Sequence, residues 1–325
     1  MRWAAWLMLL LLVLLSGCGT PRPAAPVVAV LLSDDVRLPK VDGLRAGLAE
    51  LGYGAVDVQV YSAKGDRLAV RTLAQQALAG RPAVAVAGGG IEALALKEAA
   101  ASTIPVVMMG VASSVRSDLV QSFLRPGGNV TGLDNQHAEL SAKRLELLTK
   151  LLPSARRVLL LYDPQVVPGG HALAVTEAAA QRLGVAVKPL VVESLEGTLA
   201  AIRNLQPGQY DAALLLPGYV LESGAGQVAA ELERLGIPVM GPLDLEGDAG
   251  LLAAYGTSMR DQGIQSARFV VKVLRGQSPA AIPVETPDNP ALVVDMRVAR
   301  RLGIRLSPVG LAFARVIGQE AGGTP

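Results

Sequence analysis

Apolar residues along this chain alternate between short continuous runs and longer stretches with helical spacing. The continuous runs resemble strands buried on both faces of a parallel sheet, and they lie at residues 27–32, 84–87, 106–109, 158–162, 212–216 and 239–240. Between the runs, apolar residues recur three and four positions apart, as at Val41, Leu44 and Leu48, which predicts helices. This order of strands and helices predicts an α/β fold with parallel sheets and right-handed crossovers.

The two halves of the chain repeat one spacing. Leu51-Gly52 ends a helix and Ile104-Pro105 opens a strand in the first half, as Leu183-Gly184 and Ile237-Pro238 do in the second. Gly52 and Ile104 are 52 positions apart, and Gly184 and Ile237 are 53 apart. The match predicts two lobes of one architecture. Chance is the alternative, because both motifs are common in α/β proteins.

A glycine-rich turn separates the two halves. Residues 125–133 read Arg-Pro-Gly-Gly-Asn-Val-Thr-Gly-Leu, in which the proline fixes one dihedral angle and the glycines permit a sharp turn before a short strand. We interpret this stretch as a hinge. Its glycines and one at a later crossing are the residues expected to absorb backbone rotation: Gly127, Gly128, Gly132 and Gly256.

The N-terminus has the pattern of a secretory leader. A positive Arg2 precedes an apolar run that is short for a transmembrane helix and ends in Leu-Ser-Gly-Cys18. This resembles the bacterial lipobox, which implies cleavage before Cys18 and acylation of that cysteine. We therefore expect a signal peptide at residues 1–17, a tether at 18–26 and an extracytoplasmic protein anchored to the cell envelope by lipid. The alternative is a plain N-terminal anchor with an incidental cysteine.

Composition argues against several functions. The net charge is +2 without a basic block, and aromatic residues make up 3%, so nucleic acid is not an expected partner. The turn at residues 88–90 lacks the remaining residues of a P-loop or dinucleotide motif. His137 and His171 have no nucleophile motif or metal-spaced carboxylates nearby, and both are expected on the surface. We expect no cofactor, no metal and no enzymatic activity.

Several motifs resemble one known family. They are the turn at residues 124–133, the helix at 139–148 and the closing stretch at 299–308, supported by residues 86–89, 102–107 and 254–256. They are similar to the ABC-transporter substrate-binding family that includes tryptophan- and tyrosine-binding lipoproteins. The resemblance implies a type I periplasmic-binding-protein fold, with two Rossmann-like lobes and a ligand cleft between them. Three segments would connect the lobes, at residues 129–133, 251–258 and 282–294. Lobe 1 would comprise residues 27–132 and 256–284, lobe 2 residues 133–255 and 285–317, and the tail residues 318–325.

The implied function is capture of a small molecule, expected to be an amino acid, for an ABC permease and ATPase. A monomer is expected. The alternative is a sensing lipoprotein that reports its ligand to a membrane signalling partner.

Open α/β sheets bind ligands at the carboxyl ends of their strands, which predicts the site residues. Helix starts after Gly90 and near Ser113 and Ser114 would bind a carboxylate. Asp163 and Asp244 would receive an ammonium group. The other expected contacts are Tyr162, Tyr219 and Tyr255 as flanking rings, Asn135 as a hydrogen-bonding group, and Ser33, Asp34, Gly89 and Ile91.

Overall fold

The computed structural model describes residues 25–164, 170–242 and 250–319. Its first lobe contains a five-stranded sheet made of β1 (Val27–Leu32), β2 (Asp57–Ser62), β3 (Val84–Ala87), β4 (Val106–Val111) and β5 (Val130–Asp134). The strand order is β2-β1-β3-β4-β5, and every pair is parallel. The helices of this part of the chain are α1 (Leu38–Glu50), α2 (Ala69–Ala79) and α3 (Gly90–Ala100).

The second lobe contains a seven-stranded sheet. Its strands are β6 (Arg157–Tyr162), β7 (Ala186–Val191), β8 (Ala212–Leu215), β9 (Val239–Gly241), β10 (Ala253–Gly256), β11 (Ala291–Asp295) and β12 (Ala314–Ile317). They lie in the order β12-β11-β10-β9-β8-β6-β7, with β10 and β11 antiparallel and the other pairs parallel. The edge strand β12 was not predicted from the sequence.

The remaining helices lie between and after these strands. They are α4 (Ser141–Leu151), α5 (His171–Leu183), α6 (Leu195–Arg203), α7 (Tyr219–Ser223), α8 (Ala225–Glu233), α9 (Met259–Leu274), α10 (Met296–Arg301) and α11 (Pro308–Leu311). Within the described ranges no helix has the length and apolar character needed to cross a membrane.

Buried apolar strands organise both lobes. In β1, five of six residues are buried, with Leu31 facing one apolar cluster and Val28, Val30 and Leu32 facing another. The second sheet is likewise covered on both faces, by separate clusters around Leu160 and Leu161. Each fully buried side chain of this size contributes about 1.5–3 kcal/mol. The continuous apolar runs therefore correspond to central strands, as the sequence predicted.

Helix α9 comes late in the chain but packs against α1 in the first lobe. Glycines allow close contact, since a Cβ on Gly43 would lie 2.0 Å from the carbonyl oxygen of Arg260, and one on Gly263 would lie 2.0 Å from that of Lys40. Ala267 and Phe269 of α9 complete the apolar cluster under β1. The prediction that this helix returns to the first lobe is confirmed.

The chain crosses between the lobes after β5, after β10 and after a segment that follows α9. That last segment runs beside the first lobe, because the hydroxyl of Thr131 donates to the Ile282 carbonyl (2.7 Å) and the amide of Asp134 donates to the Glu285 carbonyl (2.9 Å). The predicted crossing over residues 282–294 is therefore shorter than expected and comes after Asp288, whose amide bonds Gln265 of α9.

The predicted hinge glycines need a correction. Gly127 and Gly128 lie before β5, at the amino end of a parallel strand, whereas the chain leaves the first lobe at its carboxyl end, after Asp134. Gly132 lies inside β5 with φ +129°, and a Cβ there would lie 2.4 Å from the Met108 carbonyl oxygen, so its role is close packing of strands. Gly256 does lie at a crossing, the one after β10.

Candidate functional site

A cleft lies between the carboxyl ends of the two sheets. It encloses about 1050 Å³, including open solvent at its mouth. Lobe 1 contributes the turns after β1, β3, β4 and β5, and lobe 2 contributes the segments after β8 and β9. The lining residues are Arg37, Lys40, Gly89, Gly90, Ile91, Leu94, Gly110, Ala112, Ser117, Asn135, His137, Leu215, Leu216, Pro217, Gly218, Tyr219, Leu221, Glu222, Ala225, Pro242 and Leu251.

An ion pair joins the two lobes across this cleft. Arg37 Nε donates to Glu222 Oε1 at 3.0 Å, and Nη2 donates to Oε2 at 2.6 Å. Burial opposes both charges, yet each carboxylate near Arg37 raises its pKa, and the charge and hydrogen bonds of Arg37 hold the pKa of Glu222 below its ordinary value. Both groups are therefore ionised at neutral pH and paired in a two-point geometry.

Residues of the first lobe bind the side of the Arg37 guanidinium that faces away from Glu222. Arg37 Nη1 donates to Glu92 Oε1 (2.6 Å) and to the hydroxyl of Ser33 (3.0 Å), while the Ser33 amide donates to the same Glu92 oxygen (2.7 Å). Glu92 is completely buried. A Cβ on Gly89 would lie 2.3 Å from Arg37 Nη1, so only glycine at this position leaves room for the guanidinium group.

Lys40 forms part of the cleft floor. Its ammonium donates to the carbonyl oxygens of Gly88 and Met109, both at 2.8 Å, and of Gly110 at 3.2 Å. Burial, together with the charge of Arg37, lowers the pKa of Lys40 to about 8. Its three donors are thus used to join the ends of β3 and β4.

His137 lies buried where the chain crosses from β5 to α4. Its Nε2 atom has no hydrogen-bond partner among the described residues, and a Cβ on Gly256 would lie 3.4 Å from it. Burial, then the charges of Arg144, Lys40 and Arg37, lower the pKa of His137 well below its ordinary value, so the imidazole is neutral. The prediction of a surface histidine is wrong here, because the crossing passes through the molecule's interior.

The start of α3 faces the cleft without a cap. Gly89 precedes the helix and offers no side chain to its first N–H groups, and Gly90 and Ile91 line the cleft. Such a helix start attracts anionic groups through its free donors and its positive partial charge. Facing it, the second lobe contributes an apolar wall that includes Leu215, Pro217 and Leu221.

The structure brings together some of the predicted site residues. Gly89, Gly90, Ile91, Asn135 and Tyr219 line the cleft. Asn135 donates to the Gly110 carbonyl at 3.1 Å and accepts from the His137 amide at 3.1 Å, which fixes its side chain at the crossing.

Other predicted residues lie beside or behind the cleft. Ser33 supports Arg37, Ser114 donates its amide and hydroxyl to Asp134, and Ser113 donates to Glu139 at 3.1 Å. Asp34 caps a short turn by accepting from the Val36 amide. Asp163 lies behind Gly218, while Tyr162 and Tyr255 pack against an apolar cluster. Asp244 and Cys18 lie outside the described residues.

Sequence reasoning missed five charged or polar residues that line the cleft: Arg37, Lys40, Ser117, His137 and Glu222. Arg37 and Lys40 lie at the start of the first helix and Glu222 lies in α7, whereas the sequence predicted contacts in the loops that precede these helices. His137 was noted and assigned to the surface. Polar residues in the first turn of a helix that follows a buried strand could have been predicted as cleft residues, because this turn lies at the same edge of the sheet as the loops.

Two parallel-sheet lobes with a cleft at their carboxyl ends and three crossings define a type I periplasmic binding protein, and solved structures agree. A conserved domain protein from Vibrio cholerae has a TM-score of 0.83 at 24% identity, covering 90% of this chain and 99% of that one. A Streptococcus pneumonia domain in complex with L-Trp has a TM-score of 0.80 at 23% identity, covering 90% and 99%.

The chain belongs to the ABC transporter substrate binding protein family, whose model matches residues 27–315. A tyrosine-binding protein of Clostridioides difficile is 25% identical over 207 residues, which is 63% of this chain and 59% of that relative, so the chain spans less than two thirds of its length. A substrate binding protein from Clostridium difficile, in a ligand-free, open form, has a TM-score of 0.66 at 19% identity and covers 91% of this chain and 100% of that one. Proteins of this family bind small molecules and work with ABC transporters.

Proposed function

We propose that this protein captures a neutral amino acid in its interlobe cleft and delivers it to an ABC importer. The observation that carries the proposal is the uncapped start of α3, which faces an apolar wall across the cleft. Free N–H groups suit a carboxylate, and the wall suits an apolar or aromatic side chain.

The charges around the cleft support a ligand without net charge. Arg37 and Lys40 are balanced by Glu222 and by Glu92 behind Arg37. A ligand that carries a net charge would find no unpaired opposite charge among these four side chains. Burying that charge would cost several kcal/mol. A zwitterion brings both charges and no net charge.

Relatives support the same class of ligand. The curated relative is named a tyrosine-binding protein, and one structural neighbour holds L-Trp. We propose a branched or aromatic amino acid, with Tyr219 beside its side chain. The ammonium group would be received by Asp163 or Asp244, the two carboxylates predicted for it. Asp163 is buried directly behind Gly218 of the cleft wall.

Anchoring completes the proposal. The Leu-Ser-Gly-Cys18 motif at the end of an apolar leader supports lipidation of Cys18 and an extracytoplasmic location. A lipid anchor would keep the two lobes close to the permease, and two or more acyl chains give stable membrane binding.

Thermal shift with single L-amino acids and neutral sugars tests the ligand. A ligand that binds only the folded protein stabilises it by about 2.7 kcal/mol at a concentration of about 100 times its Kd. We expect branched or aromatic amino acids to raise Tm, with calorimetry confirming stoichiometric binding. A rise produced by a sugar and by no amino acid would refute the zwitterion proposal.

A further inference from the structure

Helix α7 of the second lobe contacts the first lobe at several points on one rim of the cleft. Glu222 takes two hydrogen bonds from Arg37. One turn earlier, the Tyr219 hydroxyl donates to the Ser33 carbonyl at 3.4 Å, and Arg67 lies 5.3 Å from the centre of the Tyr219 ring. The polar contacts across this rim therefore converge on two residues of one short helix.

The two halves of the central ion pair differ in how they are held. On the first lobe, Glu92 and Ser33 fix the guanidinium of Arg37 without help from the second lobe. This leaves Nε and Nη2 directed at the cleft as a preformed fork. On the second lobe, Glu222 is carried by α7, so its position relative to Arg37 depends on how the lobes are oriented.

Closure of the two lobes therefore removes both Arg37 and Glu222 from water at the same time. The side chains of Arg37 and Glu222 are 8% and 17% exposed in the paired state. Rotation of the lobes away from each other would separate them and return Glu222 to water. A two-point Arg–carboxylate pair has strict geometric requirements, so its energy is gained over a narrow range of lobe orientations.

We propose that Arg37 and Glu222 form a latch that stabilises the closed arrangement of the lobes and thereby strengthens ligand binding. The proposal rests on the proposed function for its effect on affinity, but the latch acts on the equilibrium between open and closed lobes whether or not a ligand is present. Its residues position the lobes. Removing the pair lowers the closed fraction, and apparent affinity falls by the same factor when the closed state is the one that retains the ligand.

Distances between spin labels test the latch without any ligand. Leu68, which is 90% exposed, follows β2, and the exposed Glu193 follows β7, so both mark the cleft side of their lobes. Labels are attached at Leu68→Cys and Glu193→Cys in the full chain, with Cys18, its single cysteine, replaced by Ser. Glu222→Gln keeps the shape of the side chain and removes its charge.

We expect Glu222→Gln to shift the distance distribution to longer values and to lower the ratio of closed to open molecules on the order of tenfold. Arg37→Lys keeps a positive charge beside Glu92 but loses the fork, and the same shift is expected. The matched control is Glu233→Gln. Glu233 takes two bonds from Arg301, at 2.7 and 3.0 Å, within the second lobe, so its loss leaves the distances unchanged.

Two results would overturn the latch. One is an unchanged distance distribution in Glu222→Gln and Arg37→Lys. The other is weaker ligand binding in Glu222→Gln with unchanged distances, which would assign Glu222 to direct ligand contact. Because the distances are measured without ligand, failure to find an amino-acid ligand would leave the result on the latch intact.

Discussion

Arg144 Nε donates a 2.7 Å hydrogen bond from helix α4 to the carbonyl oxygen of Tyr255, which lies at the end of β10 where the chain crosses between the lobes. The same guanidinium donates from Nη1 to the His137 carbonyl at 2.6 Å. Arg144 is completely buried in α4, and burial lowers its pKa to about 9, which leaves it charged at neutral pH. One side chain of the second lobe thus fixes the backbone of two crossings.

Replacing Arg144 tests this clamp. Arg144→Met removes the side-chain donor to the Tyr255 carbonyl, whereas the His137 carbonyl keeps the Ser141 hydroxyl as a donor at 3.0 Å. One buried acceptor left without a partner costs about 1–3 kcal/mol, and we expect the free energy of unfolding to fall by that amount, measured by urea denaturation.

The matched control for the clamp is Arg156→Met. Arg156 also donates to two carbonyl groups, those of Pro153 and Ala155, but in an exposed position where water replaces it. Its loss is expected to change stability by less than about 0.5 kcal/mol. Equal losses in the two variants would show that burial of Arg144 has no special role.

His137 predicts a dependence of stability on pH. The folded protein holds the imidazole neutral, with a pKa well below the ordinary value, while the unfolded chain binds a proton near about pH 6.5. The unfolded state therefore gains protons as the pH falls, and stability is lost below about pH 6.5, with a slope of up to about 1.4 kcal/mol per pH unit.

His137→Gln removes this term from the pH dependence. We expect the difference in unfolding free energy between the parent and the variant to change between about pH 7.5 and about pH 5.5, in favour of the variant at the lower value. His171→Gln is the comparison variant, because it also removes one histidine but keeps the buried His137. A constant difference for His137→Gln across this range would contradict the prediction.

Two adjacent glycines at the start of α3 predict opposite outcomes. A Cβ on Gly89 would lie 2.3 Å from Arg37 Nη1, whereas the nearest atom to a Cβ on Gly90 is Val111 Cγ1 at 3.7 Å. We expect Gly89→Ala to displace the guanidinium and lower the free energy of unfolding by about 1–3 kcal/mol.

Gly90→Ala serves as the comparison. Alanine in a helix is favoured over glycine by up to about 1 kcal/mol, so stability should be unchanged or slightly higher. Thermal unfolding of both variants at one pH gives the measurement. If both alanines had the same effect, the close contact between Gly89 and Arg37 would not matter to stability.

Lipidation at Cys18 predicts a change of location without a change of fold. Cys18 lies before Val27, where the first strand begins, so Cys18→Ser should leave the cooperative unfolding transition intact. Acyl labelling and recovery in the membrane fraction should both be lost. The lipid anchor would be ruled out if the serine variant still incorporated acyl chains and sedimented with membranes.

The sequence predicted the sheets better than the cleft. Runs such as residues 27–32 and 158–162 are buried on both faces, and this leaves a direct pattern in the sequence. The edge strand β12 has four half-buried or exposed residues and leaves no such pattern. Burial of His137 depends on how two crossings pass each other, and pairing of Arg37 with Glu222 depends on contact between lobes, so neither could be inferred from local spacing.

The close packing of α1 against α9 has a consequence for the order of folding. The first lobe's apolar cluster under β1 needs Phe269 and Val270, which are synthesised after five of the second lobe's seven strands. Until α9 has been synthesised, the glycine-lined face of α1 lacks the helix that covers it in the folded protein. The second lobe has most of its strands by then, and the first lobe, although it begins the chain, is completed late. Agents that bind exposed apolar helices should therefore act on this protein before Gly43 packs against the backbone of Arg260 and Gly263 packs against that of Lys40.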